Sequence, residues 1–563
     1  MSMNALTRTA DALAVTPLLN CLLREAADPA GEQSAAPATP SGPATATTPA
    51  TPTPCGSAAP ATPDEPASKP PTPTPDEPAK ATRTPTHAVH RLRVSGRLIR
   101  VRPGRHPSTP ELWTGGTWRR LRHPDLVELA VEEMRASTGR ANPALAAEMA
   151  ASRTAVREVL DARARVEPPE DTWLRSEQAL VMGHPYHPAP KARLGGGPPA
   201  AWLRYAPEAY ARFPLVLLGV REDAVVEDGD TKALDALGEA PPGYRLLPAH
   251  PWQLALSGRS TRVRAAFAEG RLVRLGVTPR PARPTASVRT LHVPGDGGAA
   301  DAGNGEDMFL KFSLDVRITN DIRRMRRHEL LHVRRTDPVV TAAFAALDGP
   351  TAWLSDRGYR TVDGLFETCA VLVRDGLDRH LPPGSTAVLA AALAEGFPGS
   401  PLDRITEPRA WWAAYLRCVV EPALEAYARF GVVVECHLQN TLVAVDGRGI
   451  PVRSVFRDAE GAKTIPEMAP EAAWRRLVYC LVVNNLSEVA GALAHRFPGS
   501  APALWELARA EFERAGRRPE LPGVKELLAS PTVPGKANLL SRWLRAEGTA
   551  PHYIPVPNPL APG

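Results

Sequence analysis

Lys311-Phe-Ser-Leu-Asp-Val-Arg-Ile-Thr-Asn-Asp-Ile-Arg323 and, far downstream, Glu435-Cys-His-Leu-Gln-Asn440 with Arg457-Asp458 are short polar stretches in otherwise ordinary sequence, one rich in cations and the other in metal-binding oxygens. In the first, Leu310, Phe312 and Leu314 alternate with Lys311, Ser313 and Asp315, which predicts a strand whose Lys311 and Ser313 face away from the core. Upstream, Ser287-Val-Arg-Thr-Leu291 reads as a second strand. The Gly-rich connection Pro294 to Asp307 would let the two form a hairpin with Ser287, Arg289 and Lys311 on one polar face, in a register that sequence does not reveal. That connection lacks GK[ST] and carries Asp296, Asp301, Glu306 and Asp307, so it is a flexible loop and not a phosphate loop. Thr319 and Asn320 are capping residues for a helix expected near Asp321, which would put Arg323 in a first turn whose free N–H groups favour anions. A structural strand followed by a surface helix explains the same residues equally well.

In the second stretch, Val432 to Val434 is a short strand, Glu435 to Asn440 a polar elbow, and Thr441 to Val445 a strand that turns at Asp446-Gly447 and returns through Ile450 to Phe456. The hairpin brings Asp458 beside Asn440. Glu435, Asn440 and Asp458 then offer hard oxygens suited to Mg²⁺, with His437 and Gln439 between them to meet a substrate. Cations for phosphates and oxygens for magnesium in one chain indicate a nucleotide-using enzyme.

The rest of the chain fits a large enzyme. Its 563 residues allow an extensive core and several structural units. Six scattered cysteines, without a CxxC pair, suggest neither zinc site nor disulfide framework, and a reduced, cytoplasmic setting is expected. The start lacks a convincing secretory cleavage site and no window approaches a run of consecutive apolar residues long enough to span a bilayer, so no membrane partner is expected. Net charge is +6, but Arg323, Arg324, Arg326, Arg327, Arg334 and Arg335 have no interleaved aromatics and read mostly as a solvated helix face. Nucleic acid is not an expected partner.

Thr16-Pro17-Leu-Leu-Asn-Cys-Leu-Leu-Arg24 reads as a helix start capped by Thr16, with a Leu18, Leu19, Leu22 and Leu23 stripe that docks on the main body. A Pro/Ala/Thr-rich tether over 28–88 cannot bury enough apolar surface to order itself. His90 to Val101 alternates as strands, Asp125 to Arg135 is helical, and a long helix runs from Pro408 to Phe430, through Pro422, to a stop at Gly431. Two further segments, Gly183-His-Pro-Tyr-His-Pro188 with Lys191 and Arg193, and Pro248-Ala-His-Pro-Trp-Gln253, hold histidines rigidly beside proline. Hydrogen-bonded structural turns explain either of these alone.

Taken together and in order, GHPYHPAPKARLG, LLPAHPWQ, SVRTL, KFSLDVRITNDIRR, ECHLQNTLV and FRDAEG resemble the NRPS-independent siderophore synthetases, the IucA and IucC family. The resemblance covers residue 90 to the end. It implies an α+β multidomain fold of thumb, fingers and palm, with mixed and antiparallel sheets and a helix-rich carboxy-terminal palm. The corresponding division is a docking helix over 1–27, the tether, a thumb-like region over 89–175, fingers over 176–385 and palm over 386–563. The implied activity is an ATP- and Mg²⁺-dependent ligase that adenylates a carboxylic acid, typically citrate or a derivative, and condenses it with a polyamine, amino acid or amino-alcohol. A homodimer is usual among such proteins.

Carried over by position, the resemblance assigns Ser287, Arg289, Thr290, Lys311 and Arg323 to ATP or the carboxylate, and Glu435, Asn440 and Asp458 to Mg²⁺. It places His184, His187, Lys191, Thr319, Asn320, His437, Gln439 and Lys536 beside substrate, the last within the closing segment Lys536-Ala-Asn-Leu-Leu-Ser-Arg542. Lys311, Arg323 and His437 are the candidate catalytic groups. The sequence departs from the family's pattern at the tether and at Ala286 and Asp321, where relatives often carry small hydroxyl residues. The elbow, strand and hairpin-related Asp458 also resemble the metal loops of kinase-like phosphotransferases, which supplies an alternative, and the Arg run supplies a third, non-catalytic RNA-binding reading.

Overall fold

The computed structural model describes residues 3–29, 87–295, 307–545 and 552–562. The tether, apart from its ends, and most of the Gly-rich connection lie outside the described residues.

The amino-terminal layer is a five-stranded antiparallel meander, Ala27–Pro29, Ala88–Leu92, Leu98–Arg102, Ser108–Thr114 and Thr117–Arg120, covered by helices Met3–Ala26, His123–Thr138 and Pro143–Arg163. The first helix does not start at Thr16. It runs through Pro17, and the Thr16 hydroxyl donates back to the Ala12 carbonyl at 3.1 Å. An internal proline costs about 3 kcal/mol, but burying Leu18, Leu19 and Leu22 against Leu92, Ile99 and Leu126 gains about 1.5–3 kcal/mol per side chain, so packing prevails. Leu539 and Trp543, near the carboxy terminus, complete the same apolar cluster.

The central layer holds a six-stranded antiparallel sheet in the order Arg283–Pro284, Thr290–Val293, Met308–Phe312, Val371–Asp375, Asp356–Val362 and Val225–Gly229. The register that sequence left open pairs Thr290 with Lys311. The first strand begins only at Thr290; Ser287 to Arg289 form a turn, with Val288 at φ +68°. Lys311 and Ser313 face away from the apolar side, as their alternation requires, yet both are buried, Lys311 under the Asp458 and Glu460 carboxylates and Ser313 against the Glu367 carbonyl and the Met325 N–H.

No helix starts at Asp321. Arg317–Ile318 and Asp321–Ile322 form a tight hairpin with Thr319 at φ +57°, and the helix runs over Arg327–Ala345. Thr and Asn bond to nearby backbone in turns as readily as in caps, so the pair is ambiguous in sequence. Arg326, Arg327 and Arg335 lie on the solvated side, whereas Arg323 turns inward.

A four-stranded mixed sheet, Thr351–Leu354, Pro451–Arg457, Thr441–Val445 and Thr386–Leu389, carries the second polar stretch. Thr441 pairs with Phe456, which sets Asn440 and Arg457 side by side, and the Arg457 N–H donates to the Asn440 carbonyl. Behind this sheet, helix Pro408–Phe430 passes through Pro422, buries Trp411, Trp412 and Tyr415, and stops at Gly431, whose φ of +61° suits glycine. The helical stretch Pro470–Arg496, with a π-helical segment at Tyr479–Leu486, is by length and composition sufficient to cross a bilayer, but 72 % of its apolar window is buried in the protein, as in a core helix. Cys21, Cys369, Cys418, Cys436 and Cys480 are free thiols.

Candidate active site

The two polar stretches meet. Lys311 Nζ lies 2.5 Å from Asp458 Oδ1 and 2.7 Å from Glu460 Oε2, which also accepts from Arg289 Nη2 at 2.9 Å. Arg374, from the strand beside Lys311, reaches the same Asp458 oxygen at 3.0 Å while its Nε is held by buried Asp356 at 2.7 Å. Arg323 donates to the Thr319 hydroxyl and the Ile318 carbonyl, and its own carbonyl accepts from Arg289. Four cations, Arg289, Lys311, Arg323 and Arg374, thus face three carboxylates and leave net positive charge for an anion.

Burial alone would raise the Asp458 and Glu460 carboxyls. The Lys311 ammonium overcomes it, holding Asp458 far below the carboxylate range and Glu460 down to about 2, so both are ionised at neutral pH. Burial and the neighbouring Arg289 charge lower the Arg323 guanidinium.

Arg289, Lys311, Arg323, Arg374 and Asp458 line a cavity of about 350 Å³. Ser287, Thr290, Thr319, Asn320, Glu435, His437, Gln439, Asn440 and Lys536 line it too. The elbow is tied to the Ser287 turn by a buried pair that sequence reading missed. Arg457 binds Glu177 through both terminal nitrogens, at 2.6 and 3.2 Å, and the Gln439 carbonyl, while Glu177 also accepts from the Ala286 N–H. Val288, Thr319 and Asp458 all have positive φ without being glycine, and backbone strain of this kind concentrates at functional sites.

Of the two histidines in the first His-Pro segment, His184 lines the cavity and His187 is buried and does not. The Nδ1 of each accepts a backbone N–H, which puts the neutral ring's proton on Nε2. Burial lowers His184 to about 4 and lowers His437 as well. Lys191 lines the cavity, but its ammonium is committed to Glu208 at 2.6 Å. Lys536 lies over the Tyr479 ring at 4.7 Å.

Glu435 Oε1 accepts from Arg476 at 2.7 Å, and Asn440 Nδ2 stands 3.4 Å from His437 Nε2. Among the described residues no three His, Cys, Asp or Glu side chains form a metal cluster by themselves. One or two carboxylates with an amide oxygen fit Mg²⁺, which keeps waters and shares phosphate oxygens, and Asp458, Glu435 and Asn440 offer oxygens of these kinds on the cavity wall. Glu460, two residues beyond Asp458, was legible as a further acid of the same motif. Arg374, Glu177 and Glu488 had no local signal.

Comparison with known proteins shows the family. Residues 172–395 match the family model described as IucA / IucC family, and residues 409–550 match one described as ferric iron reductase FhuF-like transporter. The chain is 30 % identical over 451 residues to the L-2,3-diaminopropanoate–citrate ligase of Staphylococcus aureus, spanning 69 % of this chain and 75 % of that one. It is 29 % identical to the rhizobactin siderophore biosynthesis protein RhbC of Rhizobium meliloti, over 69 % and 76 % of the two chains. The ATP-bound aerobactin synthetase IucA of Klebsiella pneumoniae superposes with a TM-score of 0.73 at 19 % identity, covering 98 % of this chain and 99 % of that one, and so shares the fold. On its motifs, its site and these relatives, the chain belongs to the IucA/IucC family of NRPS-independent siderophore synthetases.

Proposed function

We propose that the protein is an ATP-dependent ligase that adenylates citrate or a citrate derivative and joins it to an amine in the assembly of a siderophore. The observation that carries the reading is the meeting of Lys311, Arg289 and Arg323 with Asp458, Glu435 and Asn440 on one cavity. The relatives add to it: besides the diaminopropanoate enzyme, a spermidine–citrate ligase of Bacillus anthracis is 25 % identical over 52 % of this chain and 53 % of its own.

In this reading Lys311, Arg289 and Arg323 bind the phosphates of ATP and exchange their present carboxylate partners for phosphate oxygens. Ser287 and Thr290 supply hydroxyls to the same group, and Asp458, Glu435 and Asn440 hold Mg²⁺. Bound there, the ion would offset charge on the triphosphate. Thr319, Gln439, Lys536 and the neutral His184 Nε2–H orient the acid, one of whose carboxylate oxygens attacks the α-phosphorus as pyrophosphate departs. A neutral amine then attacks the acyl carbonyl, forming the amide and releasing AMP and a proton. Positioning and preorganised charge supply the rate, and His437, kept neutral by burial on the cavity wall, is a candidate proton acceptor.

The reading extends to a thumb over 89–175, fingers over 176–385 and palm over 386–563, to a homodimer, and to the cytoplasm, where ATP is available. A kinase-like phosphotransferase is the alternative. With ATP, Mg²⁺, citrate and a diamine, the ligase yields AMP and pyrophosphate; ADP as the nucleotide product would favour the kinase.

A further inference from the structure

The amino-terminal helix Met3–Ala26 is tied to the cavity wall at several points. Asn20 Nδ2 donates to the Pro185 carbonyl at 2.9 Å, and the Arg24 guanidinium lies over the Tyr186 ring at 3.3 Å, so the helix supports the His-Pro segment that carries His184. Arg105, from the adjoining sheet's connection between Leu98–Arg102 and Ser108–Thr114, pairs with Glu488 of the wall at 2.7 Å. Glu25 makes a further link, across 514 positions of the chain. Its Oε1 accepts from the Leu539 N–H at 2.9 Å and its Oε2 from the Leu540 N–H at 2.8 Å.

Those two N–H groups belong to the first turn of helix Asn538–Trp543, where no partner exists within the helix. The cap position is Ala537, which has no side-chain acceptor, so Glu25 supplies from the far end of the chain what the local sequence lacks. Asn142 and Glu148 grip the other end of this helix, at Arg542 and Trp543; Glu25 grips the end beside the cavity. Burial raises the Glu25 carboxyl to about 7, against the pull of the Leu540 and Leu539 N–H groups, so it is ionised at pH 8.

The segment seated in this way carries two side chains into the cavity. Asn538 lines it and donates to the Tyr186 carbonyl at 2.7 Å, and Lys536 lines it from the end of strand Thr532–Lys536. Among the described residues Lys536 has no carboxylate partner, only the Tyr479 ring, so the place of its ammonium follows the backbone that bears it. We infer that Glu25 is a positioning residue: by capping helix Asn538–Trp543 it sets where Lys536 and Asn538 stand on the wall, and through them the affinity for the acid. Glu25 itself touches no substrate. This inference rests on the ligase reading, in which Lys536 orients the acid while other elements carry the phosphate cluster.

The test is citrate-dependent ATP–pyrophosphate exchange by the full chain at pH 8, without any amine. Glu25→Gln keeps the size of the side chain but offers one acceptor oxygen to two donors. It is expected to raise KM for citrate about tenfold and to leave KM for ATP unchanged. In a Lys536→Ala background it should add far less than it does alone, because both substitutions act on one contact. A purely structural Glu25 would lower the unfolding midpoint and the active fraction, and so kcat, at an unchanged KM for citrate. That result, or full additivity with Lys536→Ala, overturns the proposal. If the variant does not fold, amide deuteration of the wild type decides: citrate should slow it at 536–540 and at 20–26 together, and protection that omits 20–26 overturns the proposal. Wild-type protein without pyrophosphate exchange sinks the ligase reading, whereas exchange with an unmoved citrate KM in Glu25→Gln sinks only the role of Glu25.

Discussion

Lys311 and Asp458 are separated by 147 positions in the chain and by 2.5 Å in space. The contact joins the antiparallel sheet that carries the cations to the mixed sheet that carries the oxygen ligands. Each neutralises the other here, and in the proposed reaction a triphosphate and a divalent ion would give each a better partner. Lys311→Ala is therefore expected to abolish citrate-dependent pyrophosphate release and to lower stability by about 3 kcal/mol, because Asp458 and Glu460 lose their shared counter-charge. Near-normal turnover would refute the assignment.

Glu177 tests the supporting layer. Its carboxylate is the buried partner of Arg457 and holds the Ala286 N–H, so Glu177→Gln leaves a buried guanidinium without its anion. A loss of about 3 kcal/mol in urea unfolding is expected, with a parallel fall in adenylation as the elbow and the Ser287 turn loosen. Unchanged unfolding midpoints would contradict it.

Gly461 is packed against the proposed metal ligand. A Cβ there would lie 2.2 Å from Glu435 Oε2, so Gly461→Ala must displace that carboxylate. The Mg²⁺ concentration for half-maximal pyrophosphate release is expected to rise several-fold, with little change in overall stability. An unaltered Mg²⁺ dependence would remove Glu435 from the metal site.

His250 gives a pH signature. It caps helix Pro251–Ser257 by accepting the Trp252 N–H at Nδ1, and burial lowers its pKa to about 3. The unfolded chain, titrating near 6.5, binds a proton that the folded chain refuses, so stability falls as pH drops below 6.5 toward 3. His250→Asn keeps a capping acceptor without the titration. The wild type should lose ground to this variant by up to about 1.4 kcal/mol per pH unit between pH 6 and 4 in urea titrations. Parallel curves would contradict the assignment.

Much of the site could be read from local sequence because its carriers are short and periodic. The alternation around Lys311 marked its strand but not the register against Thr290, whereas the Asp446-Gly447 turn between apolar runs marked a hairpin that brings Asn440 to Arg457. The helix expected at Asp321 failed because Thr319 and Asn320 suit a hairpin turn as well as a cap, and the hairpin is held by Arg323 bonding back to Ile318 and Thr319 and by Arg289 donating to the Arg323 carbonyl. Arg374, Glu177 and Glu488 were invisible for another reason. Their partners Asp458, Arg457 and Arg105 lie on other elements, and nothing in the sequence around a buried charge names its distant counter-ion.

In the proposed reaction a carboxylate, activated in the cavity between Lys311 and His184, attacks the α-phosphorus of ATP. Citrate labelled with ¹⁸O in its carboxylates, turned over with ATP, Mg²⁺ and a diamine, tests this directly by mass analysis of the nucleotide. Adenylation and aminolysis should leave one labelled oxygen in AMP. Label in inorganic phosphate, with ADP as the nucleotide product, would contradict the account.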